Sequence, residues 1–161
     1  MAELTHFDHE GKARMVDVSQ KGITSREAVA RGRISMAPET FQMIMDRTIA
    51  KGDVLGVARI AGIMASKRTG EFIPLCHPLN ITGAQVDFYP QCGENTIAIE
   101  ARVKTDGKTG VEMEALLAVA IAALTVYDMC KAVDRGIVIS DIHLVEKRGG
   151  RSGTYVSPRH R

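Results

Sequence analysis

Asp128 and Lys131 stand three positions apart in the string YDMCKA. On a helix that spacing puts both on one face, within reach of each other. A carboxylate beside an ammonium can pass protons, or it can be a surface ion pair worth about 0.3–0.5 kcal/mol. Spacing alone favours the ion pair. Placement favours chemistry, because Asp128 falls near the end of an apolar helical stretch. The negative pole of a helix disfavours a carboxylate there, and a local rule broken without evident gain marks a candidate site.

Glu112 and Glu114 open the same stretch. Acids suit the first turn of a helix, and Glu112 completes T-x-x-E with Thr109, a capping box. Glu114 has no such structural duty. Cys76-His77 is held between Pro74 and Pro78. Each proline drives its predecessor toward an extended conformation, and neighbours in an extended chain point to opposite sides. The two cannot therefore pair as nucleophile and base. A rigid turn is the plain reading; a His presented on a stiff loop is the functional one.

Lys51, Lys67, Arg68, Lys108, Lys131, Lys147 and Arg148 all fall at element ends or in loops. That is where solvated surface cations sit, and also where anions are met. Gly107-Lys108-Thr109 is no phosphate loop, since Arg102 stands where that motif needs its first glycine. A helix N-terminus with a nearby Lys can still bind an anion. The string KRGGRSG from Lys147 to Gly153 could wrap a phosphate.

The element that must position these groups runs from Asp106 to Ala132. The pattern predicts one helix of roughly 23 residues, about 35 Å long, stopped by Gly136. Its middle, Ala115 to Val126, is apolar on every side, which calls for cover all round. Before it, Arg33 to Met36 reads as a short strand. Pro38 suits the first turn of a helix. Asp53 suits the N-cap of a second helix running to Gly70. Ile81–Tyr89 and Thr96–Lys104 alternate as a hairpin, and Gly136–Glu146 holds a last strand. The order β-α-α-β-β-α-β is the ferredoxin-like split βαβ pattern, an α+β sandwich with helices on one face of an antiparallel sheet. The uncovered sheet face and the all-apolar helix both point to a homo-oligomer.

A chain of 161 residues, 45% hydrophobic, is a single domain, 1–161, with a real core. Residues 1–12 read as loose and the basic tail, 147–161, as mobile. A net charge of +2 speaks against a nucleic-acid partner. The longest apolar run, about twelve residues, is short of the roughly 20 needed to span a bilayer. Three scattered cysteines suggest a reducing, cytoplasmic setting. Five scattered histidines offer no protein-built zinc site.

The strings MVDVSQKGITSREAVARG, KGDVLGVARIAGIMASKRTGEFIPLCHPL, DGKTGVEMEALLAVAIAALTVYDMCKAVDRG and EKRGGRSG closely resemble the MoaC family. The resemblance covers the chain from Leu4 to about Gly153. Members are cyclic pyranopterin monophosphate synthases, lyases acting early in molybdenum cofactor biosynthesis. It implies a cyclised dihydro-GTP as substrate, supplied by a partner radical enzyme, with pyrophosphate released. It also implies a homohexamer, a trimer of dimers with sites at the dimer interface. By motif match, Asp128, Lys131 and Lys51 are the catalytic residues. Leu75, Cys76, His77, Met113, Glu114, Glu112, Lys67, Lys147 and Arg26 are the substrate-binding set. Lys51, Lys67 and Lys147 would also offer charge to the triphosphate. No metal site of the protein's own and no cofactor is expected, although the triphosphate can carry a magnesium ion.

Helix arithmetic adds one expectation. Glu114 and Asp128 lie about 21 Å apart along one helix, too far for one compact site. Two antiparallel copies about a two-fold axis near Ile121 would bring them together, with Ala118, Ala122 and Thr125 easing the approach. Two other classes remain open. A non-catalytic nucleotide sensor would bind without turnover. An RNA-binding sheet wants surface aromatics, and aromatics are only 4% here.

Overall fold

The computed structural model describes residues 6–158. Along the chain come β1 (Thr24–Ser35), α1 (Pro38–Met45), α2 (Val54–Ser66), α3 (Thr69–Phe72), β2 (Ile81–Gln91), β3 (Thr96–Gly107), α4 (Glu112–Cys130), β4 (Val138–Arg148) and β5 (Tyr155–Val156). The sheet is antiparallel throughout, in the order β2-β3-β1-β4-β5. Its first four strands have the split βαβ arrangement, so the ferredoxin-like α+β expectation holds. Parts of the two segments expected to be loose or mobile, residues 1–5 and 159–161, lie outside the described residues.

β1 is far longer than the four-residue strand expected at Arg33–Met36. Glu27, Arg31 and Arg33 do alternate with Ala28, Ala30, Gly32 and Ile34, but three of the inward residues are too small to register as apolar. They are small because α4 lies close. A Cβ on Gly32 would come 2.7 Å from Val119 Cγ1.

Two helix starts match the sequence. Pro38 opens α1, and the Asp53 side chain caps α2 by accepting the Gly56 N–H at 3.0 Å. The start of α4 does not. Its N-cap is Val111, with no side-chain cap bond, so Thr109 and Glu112 form no capping box. The Glu112 carboxylate folds over Gly110 and pairs with Lys147 at 3.0 Å. The helix is also shorter than expected, 19 residues. Beyond it the Asp134 carboxylate accepts N–H groups from Gly136 at 2.8 Å and Ala37 at 2.9 Å, tying the end of α4 to the entry of α1.

α4 buries one side only. Ala115, Ala118, Val119, Ala122, Ala123 and Val126 are buried. Gly62 of α2 lies so close that a Cβ there would sit 2.8 Å from the Ala118 carbonyl and 3.3 Å from Ala122 Cβ. Ala118 and Ala122 are thus used within the chain, not in an approach between copies. The other side carries Leu116, Leu117, Ala120 and Ile121, half-buried, and Leu124, 54% exposed. By length and composition α4 could cross a bilayer, but its inner side is the core of this sandwich.

The open sheet face carries its own charge pairs. Arg31 pairs with Glu100 at 2.6 Å, and Arg102 and Lys104 both reach Glu27. Burial opposes ionisation of Glu27, but the hydrogen bonds from Lys104 and Arg102 win and hold its carboxyl below the usual range. A face of an antiparallel sheet that carries such pairs can stand in water. The outer stripe of α4 is the apolar surface that a second copy would cover.

Candidate active site

The first turn of α4 forms one wall of a cavity of about 350 Å³. The loop after α3 supplies Leu75, Cys76, His77 and Leu79; α4 supplies Glu112, Met113 and Glu114; the segment before β1 supplies Val16, Val18 and Lys21. Five apolar side chains, Val16, Val18, Leu75, Leu79 and Met113, interleaved with polar groups suit a flat heterocycle with polar edges. A second hollow of about 230 Å³ shares Lys21, Thr109, Gly110 and Glu112 with the first. Its remaining walls are Arg26, Lys108, Lys147, Arg151 and Ser152. The two make one cleft, mixed apolar and acidic at one end and cationic at the other. Lys147 points here because it pairs with Ala28 of β1 and shares the helix-facing side of the sheet.

Glu114 is only 3% exposed. Burial, with the neighbouring Glu112 charge adding to it, pushes its pKa up to about 7 against a hydrogen bond to its own backbone N–H. Burial also raises the Cys76 thiol, and Glu114 raises it further. That thiol is no ready nucleophile. Near the cleft mouth, a hydrogen bond from the Ser19 backbone keeps Asp17 low, helped by Lys108 and His77.

The far end of α4 holds a second cluster. Lys131 Nζ donates to Asp128 Oδ1 at 2.6 Å, and Lys51 Nζ donates to the Asp128 carbonyl at 2.8 Å and to Oδ2 at 3.3 Å. The Lys131 and Lys51 bonds hold the Asp128 carboxyl below its usual range, and Asp128 raises Lys131 in return. Lys51 thus joins the Asp128–Lys131 pair, not the cationic cleft. The cluster is open to solvent, yet two ammonium groups converge on one carboxylate. Such a set can take and return protons.

The candidates therefore fall into two groups within one chain. Arg26, Leu75, Cys76, His77, Glu112, Met113, Glu114 and Lys147 gather at the α4 N-terminus. Asp128, Lys131 and Lys51 gather at its C-terminal end. Lys67 joins neither. It lines a shallow groove with Ile63, Asn80 and Gly83 that meets the first cavity at Leu79. Lys21 lines both hollows but carries no signal of its own in the sequence, being a lone Lys before a glycine in a polar segment. Among the described residues no three or more of His, Cys, Asp and Glu converge as a metal site.

Residues 15–150 match the model of the MoaC family. A cyclic pyranopterin monophosphate synthase of Heliobacterium modesticaldum is 64% identical over 97% of this chain and 98% of its own length. The protein of that name from Chloroflexus aurantiacus is 62% identical over 98% of this chain and 96% of its own. That of Desulforapulum autotrophicum is 56% identical over 99% and 98%. With the family's pattern running through nearly every element described above, this chain belongs to the MoaC family.

Proposed function

We propose that this chain is a lyase that converts a cyclised dihydro-GTP to cyclic pyranopterin monophosphate and pyrophosphate, in molybdenum cofactor biosynthesis. Full-length relatives at 56–64% identity bear that enzyme's name. The observation that carries the reading is the two-ended cleft at the α4 N-terminus. Its mixed end, with Leu75 and Met113 beside Glu114, Cys76 and His77, fits the guanine-derived ring. Its cationic end, with Lys21, Arg26, Lys108, Lys147 and Arg151, fits a triphosphate.

The chemistry asks for both ends and for more. The purine-derived ring must open and close again as a pterin, with protons moved at more than one atom. A cyclic phosphate then forms as a hydroxyl oxygen attacks the innermost phosphorus and the bond to pyrophosphate breaks. The hydroxyl proton goes to a base, and the leaving pyrophosphate gains charge that cations stabilise. Asp128, Lys131 and Lys51 supply proton-handling groups, but not beside the cleft of their own chain.

A second copy resolves this. The outer stripe of α4, Leu117, Ala120, Ile121 and Leu124, runs from Met113 to the face of Asp128 and Lys131. Antiparallel contact of two such stripes places the Asp128 cluster of one copy over the cleft of the other. We infer a dimer with two shared sites, three of which make a hexamer. A radical enzyme supplying the substrate and a cytoplasmic setting complete the reading. No redox cofactor is needed, and any magnesium ion travels with the triphosphate.

The test is incubation of purified protein with the cyclised dihydro-GTP. Pterin and pyrophosphate should appear together in equal amounts. Tight binding without either product would replace the enzyme with a nucleotide sensor.

A further inference from the structure

The cationic end of the cleft draws its charges from separate segments. Lys108 comes from the loop before α4, and Lys147 and Arg151 from the end of β4 and the turn after it. Something must hold these segments in register. Arg26 lies between them. Its Nε donates to the Gly107 carbonyl at 2.9 Å and its Nη2 to the Lys108 carbonyl at 3.2 Å. On its other side the β4 turn presses down through two left-handed glycines, Gly149 at φ 89° and Gly150 at φ 77°. A Cβ on Gly150 would sit 2.1 Å from Arg26 Nη1, and one on Gly149 would sit 2.1 Å from the Ser25 carbonyl oxygen. The turn can pass over Arg26 only because both side chains are absent.

We propose that Arg26 is a positioning residue for the pyrophosphate portion of the substrate, acting as a bracket between the 107–108 loop and the 149–151 turn. This deepens the proposed function and rests on it for the ligand's identity. A guanidinium is a planar fork of five N–H donors. It can hold two successive carbonyls from one edge and still lie flat beneath a backbone turn. An ammonium of equal charge has no such fork and cannot bridge the two carbonyls in that plane. The role of Arg26 thus depends on its shape, and its charge alone is not enough.

The experiment is titration of the purified protein with pyrophosphate by calorimetry, followed by steady-state kinetics with the cyclised dihydro-GTP. Arg26→Lys keeps the charge and should still weaken pyrophosphate binding about tenfold or more. Gly150→Ala keeps Arg26 itself and should do the same by displacing it. Both variants should raise KM about tenfold while changing kcat less than about threefold, with circular dichroism confirming native folding at the assay temperature. Wild-type affinity in Arg26→Lys would make Arg26 a plain charge and overturn the proposal. So would unchanged affinity in Gly150→Ala, or no pyrophosphate binding by the wild type. Failure of the wild type to turn over the nucleotide while still binding pyrophosphate would defeat the proposed reaction and leave the bracket standing.

Discussion

Asp128 and Glu114 are both carboxylates on α4, and their surroundings push them in opposite directions. Asp128, in solvent, is held ionised by Lys131 and then Lys51. Glu114, buried, is held near half-protonation at neutral pH. Asp128→Ala and Lys131→Ala should each abolish turnover in the nucleotide assay. Since the cluster is exposed, melting should shift by about two degrees or less. Appreciable turnover in either variant would remove the assignment. Glu114 makes the opposite kind of claim. Its folded-state pKa lies above its unfolded value of about 4.5, so the native state binds the extra proton between these values. Stability from this group is fully present below about pH 4.5 and is lost as pH rises through about 7. Chemical denaturation from pH 4.5 to 8 should show wild type losing on the order of 3 kcal/mol relative to Glu114→Gln. Parallel curves for the two proteins would mean that Glu114 is not buried in this way.

At the scale of elements, the pairing of α2 with α4 is the most exacting contact. Gly62 admits the Ala118 carbonyl at a distance no Cβ tolerates. Gly62→Ala should force the helices apart and cost about 1–3 kcal/mol, read as a lower melting temperature. Stability equal to wild type would show that the helices are less tightly seated. The order of elements was legible in the sequence because hydrophobic period and Pro or Asp start signals are local. β1 was not, since Ala28, Ala30 and Gly32 are chosen by a helix more than eighty residues away. The capping box failed for a related reason. Glu112 answers to Lys147 across the fold, and no local pattern contains that partner. The motifs marked Asp128, Lys131, Glu114 and the Cys76-His77 loop by type and spacing. Lys21 and Arg151 enter the cleft only through tertiary placement. Arg26 stands out as a loop bracket only once Gly107, Lys108 and Gly150 are seen around it.

For the whole molecule, the separation of the two clusters along α4 sets what the proposed dimer has to bring together. Glu114→Ala and Asp128→Ala copies should each be inactive alone. Unfolded together and reassembled, they should recover about a quarter to a half of wild-type activity, because one of two shared sites in a mixed dimer is intact. No recovery from oligomers shown to be mixed would sink the shared-site arrangement. The same measurement after Leu124→Glu, which charges the outer stripe, should show loss of both assembly and activity.

The turn that crosses Arg26 has a practical side. Arg151 is exposed, flanked by left-handed Gly149, Gly150 and Gly153, and is a natural point for trypsin to cut. Downstream, β5 is held to Glu146 and Lys147 of β4, so a nick there need not release the tail at once. It would, however, sever the chain between Lys147 and its partner Ser152, whose hydroxyl it meets at 2.9 Å. The protein should therefore carry a built-in reporter of occupancy. Added pyrophosphate should slow cleavage at Arg151 while leaving exposed sites such as Lys12 and Arg14 as susceptible as before. Digestion followed by mass spectrometry would turn a stability assay into a footprint of the cleft, with no labelled ligand required.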